Sequence, residues 1–266
     1  MSGRVTLALG FAWCIGLGGC GSDSSSNGST GGNSGSGGST GANPNLAKFS
    51  FFVVSVDAVR ELSGSADGFG GDLRFGETGE GAGLRGADKI CTTVAEKRMP
   101  GAGKKTWRAF LSASSDGSGN PVHAKDRVGT GPWYDANGRQ VASNLTQLLM
   151  DRPGDADPAI RNDLPNEHGS PNGGDGTNNH AVLTGTGADG MLYTMASPTT
   201  DSTCNDWTSK EASGHPWCGH SWPRMGSGTN WMSSSAVTGC APCVGNGTSC
   251  VGSTGGYGAF YCFASN

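Results

Sequence analysis

Seven of the nine cysteines in this 266-residue chain lie beyond residue 90: Cys91, Cys204, Cys218, Cys240, Cys243, Cys250 and Cys262. Their chemistry constrains the fold more than any other feature. Paired, they staple distant segments; reduced, Cys240-x-x-Cys243 is half of a metal site or a redox couple. Six cysteines allow 15 connectivities, and choosing which of seven stays free raises that to roughly a hundred. Spacing alone selects none of them. Whether they are staples or thiols depends on the compartment in which the chain folds.

The N-terminus speaks to the compartment. Arg4 precedes an apolar run over residues 5–17, and Gly18-Gly19-Cys20 follows. The run is too short to span a bilayer and reads as the centre of a signal peptide, residues 1–19. "LGGC" resembles the bacterial lipobox, in which cleavage before the cysteine frees it for lipidation. Cys20 is then the lipidation site, and Gly21 after it, where an inner-membrane retention signal has Asp, implies the outer membrane and cell surface. Several acyl chains on one residue give durable anchoring. The rest of residues 20–46 is nearly all Gly, Ser, Asn and Thr. Such a stretch buries nothing and reads as a flexible tether with a mean reach of roughly 25–30 Å. One domain, residues 47–266, is left. An exported chain meets an oxidising compartment, so disulfides are the default. The net charge is −4 and no Lys/Arg cluster is present, so nucleic acid is not an expected partner.

Along the domain, residues 48–55 (KFSFFVVS) read as an opening strand and 63–85 as a Gly-rich loop. In residues 86–103, Ala87, Ile90, Cys91, Val94 and Ala95 form a helical apolar stripe that turns Cys91 into the core. Asp88 reads as first-turn and Lys97 and Arg98 as last-turn charges of this helix, with Pro100-Gly101 ending it. Residues 106–113 read as a strand, and Asn137-Gly138 as a hairpin turn. Ser143 or Asn144 is placed to cap a short helix carrying Leu145, Leu148 and Leu149. Residues 151–179 are a long polar loop, and 180–195 read as another hairpin. Residues 257–264 (YGAFYCFA) read as a final strand. A helical cysteine near the start and a strand cysteine at the end would close a loop worth about 5 kcal/mol in the chain-entropy model.

"GLRGADKIC" (83–91), "WRAFLSAS" (107–114), "GPWYDANGRQVA" (131–142), "CNDWTS" (204–209) and "YGAFYCFA" (257–264) occur in that order. The set resembles endostatin-like domains of the C-type lectin-like fold, as carried by bacterial lipoproteins of leptospiral and myxobacterial type. The resemblance covers about residues 48–264. It implies an α+β fold, with two helices on a twisted antiparallel sheet, neighbouring termini and two nested disulfides. The outer one is Cys91–Cys262, in agreement with the stripe. The inner one joins Cys204 to a cysteine before the last strand, most simply Cys250, with Cys240 or Cys243 as alternatives. Cys218, Cys240 and Cys243 are extra to the family pattern, and a pairing of Cys218 with Cys240 or Cys243 would leave one thiol.

Three constellations offer chemistry. No helical stripe follows the C-x-x-C, which argues against a thioredoxin-type couple. A zinc site of His215, Cys218, His220, Cys240 and Cys243 is the alternative to disulfides. In the polar loop, Asp155, Asp157, Asp163, Asn166, Glu167, Asp175 and Asn179 are oxygen ligands of the kind calcium takes. Calcium-dependent lectins of this fold use E-P-N or Q-P-D with W-N-D; "LPNE" and "CNDW" only echo these, and a solvated loop whose Asp, Asn and Gly serve turns is the leading reading. Trp207 sits in a family motif and is expected in the core. Trp217, Trp222 and Trp231 are candidates for a ligand-binding surface. None of the five histidines sits in a known catalytic motif, so no enzyme is expected. The expected function is therefore binding of an extracellular protein or glycan, adhesin-like, by a surface lipoprotein that meets the membrane only through its lipid. A calcium- or zinc-dependent carbohydrate-binding or hydrolytic envelope protein and a structural surface protein are the alternatives. No cofactor is fixed by the sequence; calcium is the first candidate and zinc the second.

Overall fold

The structure is a computed structural model and describes residues 43–175, 178–194, 201–223, 230–245 and 247–265. The expected leader, Cys20 and the tether up to residue 42 lie outside them. In chain order the elements are β1 (Phe51–Val53), α1 (Val56–Ser63), α2 (Ala82–Arg98), β2 (Thr106–Ala109), α3 (Ala124–Arg127), β3 (Trp133–Tyr134), β4 (Gln140–Ala142), α4 (Leu145–Leu148), β5 (Ala181–Leu183), α5 (Cys204–Trp207), β6 (Trp217–His220), β7 (Ser235–Ala236), β8 (Gly256–Ala259) and β9 (Tyr261–Ser265). The fold is mixed α+β, with mainly antiparallel sheets and three disulfides.

The core forms around a sheet of order β1-β9-β2, in which β9 runs antiparallel to both neighbours. Phe51, Phe52 and Val53 of β1 and residues 261–264 of β9 are fully buried. An unbroken apolar run, not an alternation, is what a short strand covered on both faces carries. Cys262 faces α2, where Cys91 meets it. Tyr261 and Phe263 face the opposite layer, an aromatic cluster with Phe51, Phe110, Trp133 and Trp231. The Ala264 N–H donates to the Ser50 carbonyl at 2.9 Å, so chain entry and exit lie side by side at one end of the sheet. β9 begins at the other end, opposite Val53.

The final apolar stretch is two strands where one was expected. β8 pairs parallel with β5, in a second sheet of order β7-β6-β5-β8, while β9 pairs with β1 and β2. A break at Phe260 and a φ of +76° at Gly258 let the chain leave one sheet and enter the other. The second sheet is thus joined to the first at the end away from the chain ends.

α2 carries the expected stripe, with Ala87, Ile90, Cys91, Val94 and Ala95 buried, but starts at Ala82, inside the expected loop. The glycines are the reason. A Cβ at Gly83 would lie 2.2 Å from the Asp206 carbonyl oxygen, and one at Gly86 would lie 2.1 Å from that of Arg74. They let the helix press onto backbone. Asp88 is consequently not in the first turn. Its carboxylate instead accepts from Arg108, Arg127 and the Ala109 N–H. α1 has no counterpart in the sequence reading. Ser55 caps it by accepting from the Ala58 N–H, and Gly64 ends it at φ +66°. The Asn137-Gly138 hairpin joins β3 to β4, and Asn144 caps α4. Residues 151–175 hold no strand or α-helix, only a 3-10 turn, Asn172–Asp175.

The disulfides are Cys91–Cys262, Cys204–Cys240 and Cys243–Cys250. Cys204 therefore pairs with Cys240, not Cys250. The backbone selects the partner: the Gly71 N–H donates to the Cys240 carbonyl at 2.8 Å, and a Cβ at Gly71 would lie 2.4 Å from Cys204 Sγ. Cys243 then closes a short loop with Cys250, beside the pairing of Ala241 with Cys250. Cys218 is in no disulfide; it is buried on β6. Burial pushes its thiol from 9.0 up to about 12. A raised value favours the fold below pH 9, and that preference is lost as pH rises toward 12. We expect a thiol reagent at pH 8 to find no reactive sulfur among residues 43–265 in the native state and one after unfolding without reductant. Three would contradict the pairing.

Candidate functional site

The second sheet brings together the polar and aromatic groups with the most chemical potential. Ala181 of β5 lies opposite His220 of β6, so His180 and His220 are near neighbours across the strands. Their rings meet edge to face, 4.5 Å between centroids, and are 3% and 2% exposed. His180 Nδ1 is 2.9 Å from Asn178 Oδ1. His220 Nδ1 is 3.3 Å from Ser234 Oγ, looser than the roughly 2.6–3.2 Å of a nucleophile held by its base. Trp222 packs against His180 at 5.4 Å, and its indole N–H donates to Asn179 Oδ1 at 2.8 Å. Arg152 donates to the carbonyls of His220 and Ser221, both at 2.7 Å. Burial lowers the pKa of its guanidinium, partly offset by nearby Tyr261 and Asp163. These contacts fix the long polar loop onto the sheet.

At the start of β6 the character changes. Trp217 and Tyr193 stack in parallel, 3.8 Å between centroids and 7° between planes, and both are half-buried. The Trp217 indole N–H donates to Ser233 Oγ at 2.8 Å. The Tyr193 N–H donates to the Gly185 carbonyl at 2.9 Å and the Trp217 N–H to the Ser202 carbonyl at 2.9 Å. A rigid, amphipathic aromatic pair of this kind loses little entropy on binding and carries large contact area.

The other expected ligand residues fare differently. Trp231 belongs to the core: it is fully buried, its indole N–H donates to the Leu148 carbonyl at 2.9 Å, and it packs on Phe110 at 4.7 Å. The zinc set is undone by pairing, since Cys240 and Cys243 share their sulfurs with Cys204 and Cys250. His215 is exposed while Cys218 and His220 are buried. The oxygen set is spent locally. Asp155 accepts from the Ser143 N–H, Asp157 from Ala159, Asp163 from Gly173, and Asn166 from His168 and Ser170. Glu167 is 4% exposed and accepts from the N–H and hydroxyl of Ser55, pinning the loop to the start of α1. Asn179 holds Trp222, and the Asp175 side chain lies outside the described residues. Among the described residues no three His, Cys, Asp or Glu side chains are grouped to hold a metal ion.

"CNDW" is not a ligand triplet either. Cys204, Asn205, Asp206 and Trp207 take φ of +53, +53, +52 and +65°. Each left-handed residue costs about 1–2 kcal/mol. The turn is held by Cys204–Cys240, by the Trp207 indole on the Ser112 carbonyl at 2.8 Å, and by Asp206, which accepts from the Ser114 N–H at 2.6 Å and its hydroxyl at 2.7 Å. Sequence reasoning singled out Trp217 and Trp222 as candidates from their surroundings. It missed Tyr193, His180 and Arg152, because their partners are on strands far away in sequence. No known protein-family model matches the chain, and no curated protein matches it in sequence.

Proposed function

We propose that the chain is an exported surface protein, anchored through Cys20, whose single C-type lectin-like, endostatin-like domain binds an extracellular macromolecule through the Tyr193–Trp217 surface. The observation that carries this reading is the Tyr193–Trp217 stack itself, two parallel, half-buried rings 3.8 Å apart at the start of β6. Neighbouring chain ends, few helices and the Cys91–Cys262 staple between helix and last strand accord with the lectin-like resemblance. No helix among the described residues is long and apolar enough to cross a membrane. Fold alone does not assign a ligand, so the reading rests on the surface.

The test is binding to a panel of immobilised matrix proteins and to a glycan array, with and without chelator. The expected result is chelator-insensitive binding to a matrix protein. Trp217→Ala should weaken it by about 2 kcal/mol, roughly thirtyfold, with the melting temperature kept. Chelator-sensitive glycan binding would move the function to a metal-dependent lectin. Binding indifferent to Trp217→Ala and Tyr193→Ala would remove this surface as the site.

A further inference from the structure

We propose that a second site, formed by the loop between α1 and α2, takes a small ligand with a flat aromatic body and a carboxylate. The loop, residues 64–81, borders a concavity of about 490 Å3 lined by Phe69, Asp72, Arg74, Phe75, Lys210 and Pro242. That is within the size range of small-molecule sites, which pair an apolar wall with few polar groups.

The wall is aromatic and held in place. Phe69 and Phe75 are half-buried and perpendicular, with centroids 5.9 Å apart and an 88° interplanar angle. Phe75 takes φ +46°, a left-handed conformation that bulky residues rarely adopt. Backbone strain of this sort collects where a side chain is aimed for a purpose. The backbone next to the lining residues Phe69 and Asp72 is tied down as well. The Gly71 N–H bonds the Cys240 carbonyl at 2.8 Å, Asp72 pairs with Thr208, and a Cβ at Gly70 would lie 2.6 Å from the Cys240 carbonyl oxygen. The Cys204–Cys240 staple thus holds the backbone at Gly70 and Gly71, between the lining residues Phe69 and Asp72.

Charge sets the sign of the ligand. Asp72 is matched by Arg74, whose Nε lies 2.8 Å and Nη2 2.6 Å from its carboxylate. Burial would raise the Asp72 pKa, but Arg74 and Lys210 together bring it below the ordinary value. Glu77 is flanked by Arg85 at 3.4 Å and Lys89 at 3.5 Å. Lys89 also sits 5.5 Å from the Phe75 ring centroid, so that ring already has its cation. Lys210 is exposed and makes no ion pair among the described residues. The carboxylates of the wall are satisfied and one ammonium is left over, which favours an anion beside the rings.

The probe is indole-3-acetate, with tryptamine as the same ring carrying the opposite charge. Titrated at millimolar concentration into the 15N-labelled chain, indole-3-acetate should move the amides of residues 68–78 and Lys210, and tryptamine should not. Lys210→Glu, on the surface, should weaken the response about tenfold or more. Phe75→Gly removes the ring and the backbone strain together and should abolish it, with unchanged amides elsewhere reporting an intact fold. No movement in this segment, equal movement with tryptamine, or a response untouched by Lys210→Glu overturns the proposal. Movement centred on Trp217 also overturns it, without bearing on whether that surface binds a macromolecule.

Discussion

Replacing Cys91 and Cys262 together by alanine is expected to remove about 5 kcal/mol of stability, more than the loss of either other disulfide. The bond joins residues 171 apart. In the chain-entropy account the stabilisation grows with the logarithm of the closed loop, giving about 5 kcal/mol here. The same relation gives about 4 kcal/mol for Cys204–Cys240, with its separation of 36, and about 2 for Cys243–Cys250, with its separation of 7. Domains are stable by only about 5–15 kcal/mol, so losing the first bond leaves a marginal fold. Alanine is the right replacement, because both positions are fully buried and a serine would add an unsatisfied hydroxyl. Urea unfolding without reductant measures the three double variants. A Cys91/Cys262 variant no weaker than the Cys243/Cys250 variant would show that the long loop is already restrained in the unfolded chain.

That bond is also the part of the fold most legible in the sequence. Cys91 lies on a helical stripe, whose periodicity reports the buried face, and Cys262 in a short apolar run that reads as a strand; the pairing of the two is what the family resemblance implies. The Asn137-Gly138 turn and the Asn144 cap are legible for the same reason: their chemistry is contained within a few residues. What is not legible depends on distant partners. α1 is only eight residues long, and the Ser55 that caps it is held by Glu167, more than a hundred residues on. In the sequence Glu167 therefore resembles a calcium ligand. Cys204 finds Cys240 through the backbone at Gly71, which no spacing rule contains. Trp231 reads as a surface residue because its neighbours in sequence are small and polar, yet it packs against Phe110 and Tyr261. In the candidate surface, Trp217 is legible and its stacking partner Tyr193 is not.

Asp88 shows the same limit with a larger energetic consequence. Placed at a helix start, it would contribute a few tenths of a kcal/mol through the helix dipole. Placed in the middle of α2, it accepts from the Ala109 N–H at 2.9 Å and from Arg127 Nη2 at 2.8 and 2.9 Å. Arg127 also donates to the Ala109 carbonyl, and its side chain is 11% exposed. Burial lowers the guanidinium's pKa and the Asp88 charge acts against that shift. Arg108, at 42% exposure, adds little through its own contact with Asp88. Asp88→Ala strands a buried cation and a strand N–H, and breaking such a pair costs about 3–5 kcal/mol. Arg127→Met on its own leaves the carboxylate with the Ala109 N–H and the half-exposed Arg108 as its partners. The double variant strands no charge, so it should be more stable than Asp88→Ala alone, with a coupling of about 1–3 kcal/mol in the cycle. Purely additive losses would mean that water reaches Arg127 and that Asp88 acts only through the Ala109 N–H. Asp88→Asn separates the two roles: it keeps an acceptor for the N–H and loses the charge. Its loss should therefore lie close to that of Asp88→Ala if the guanidinium is the partner that matters, and far below it if the N–H is.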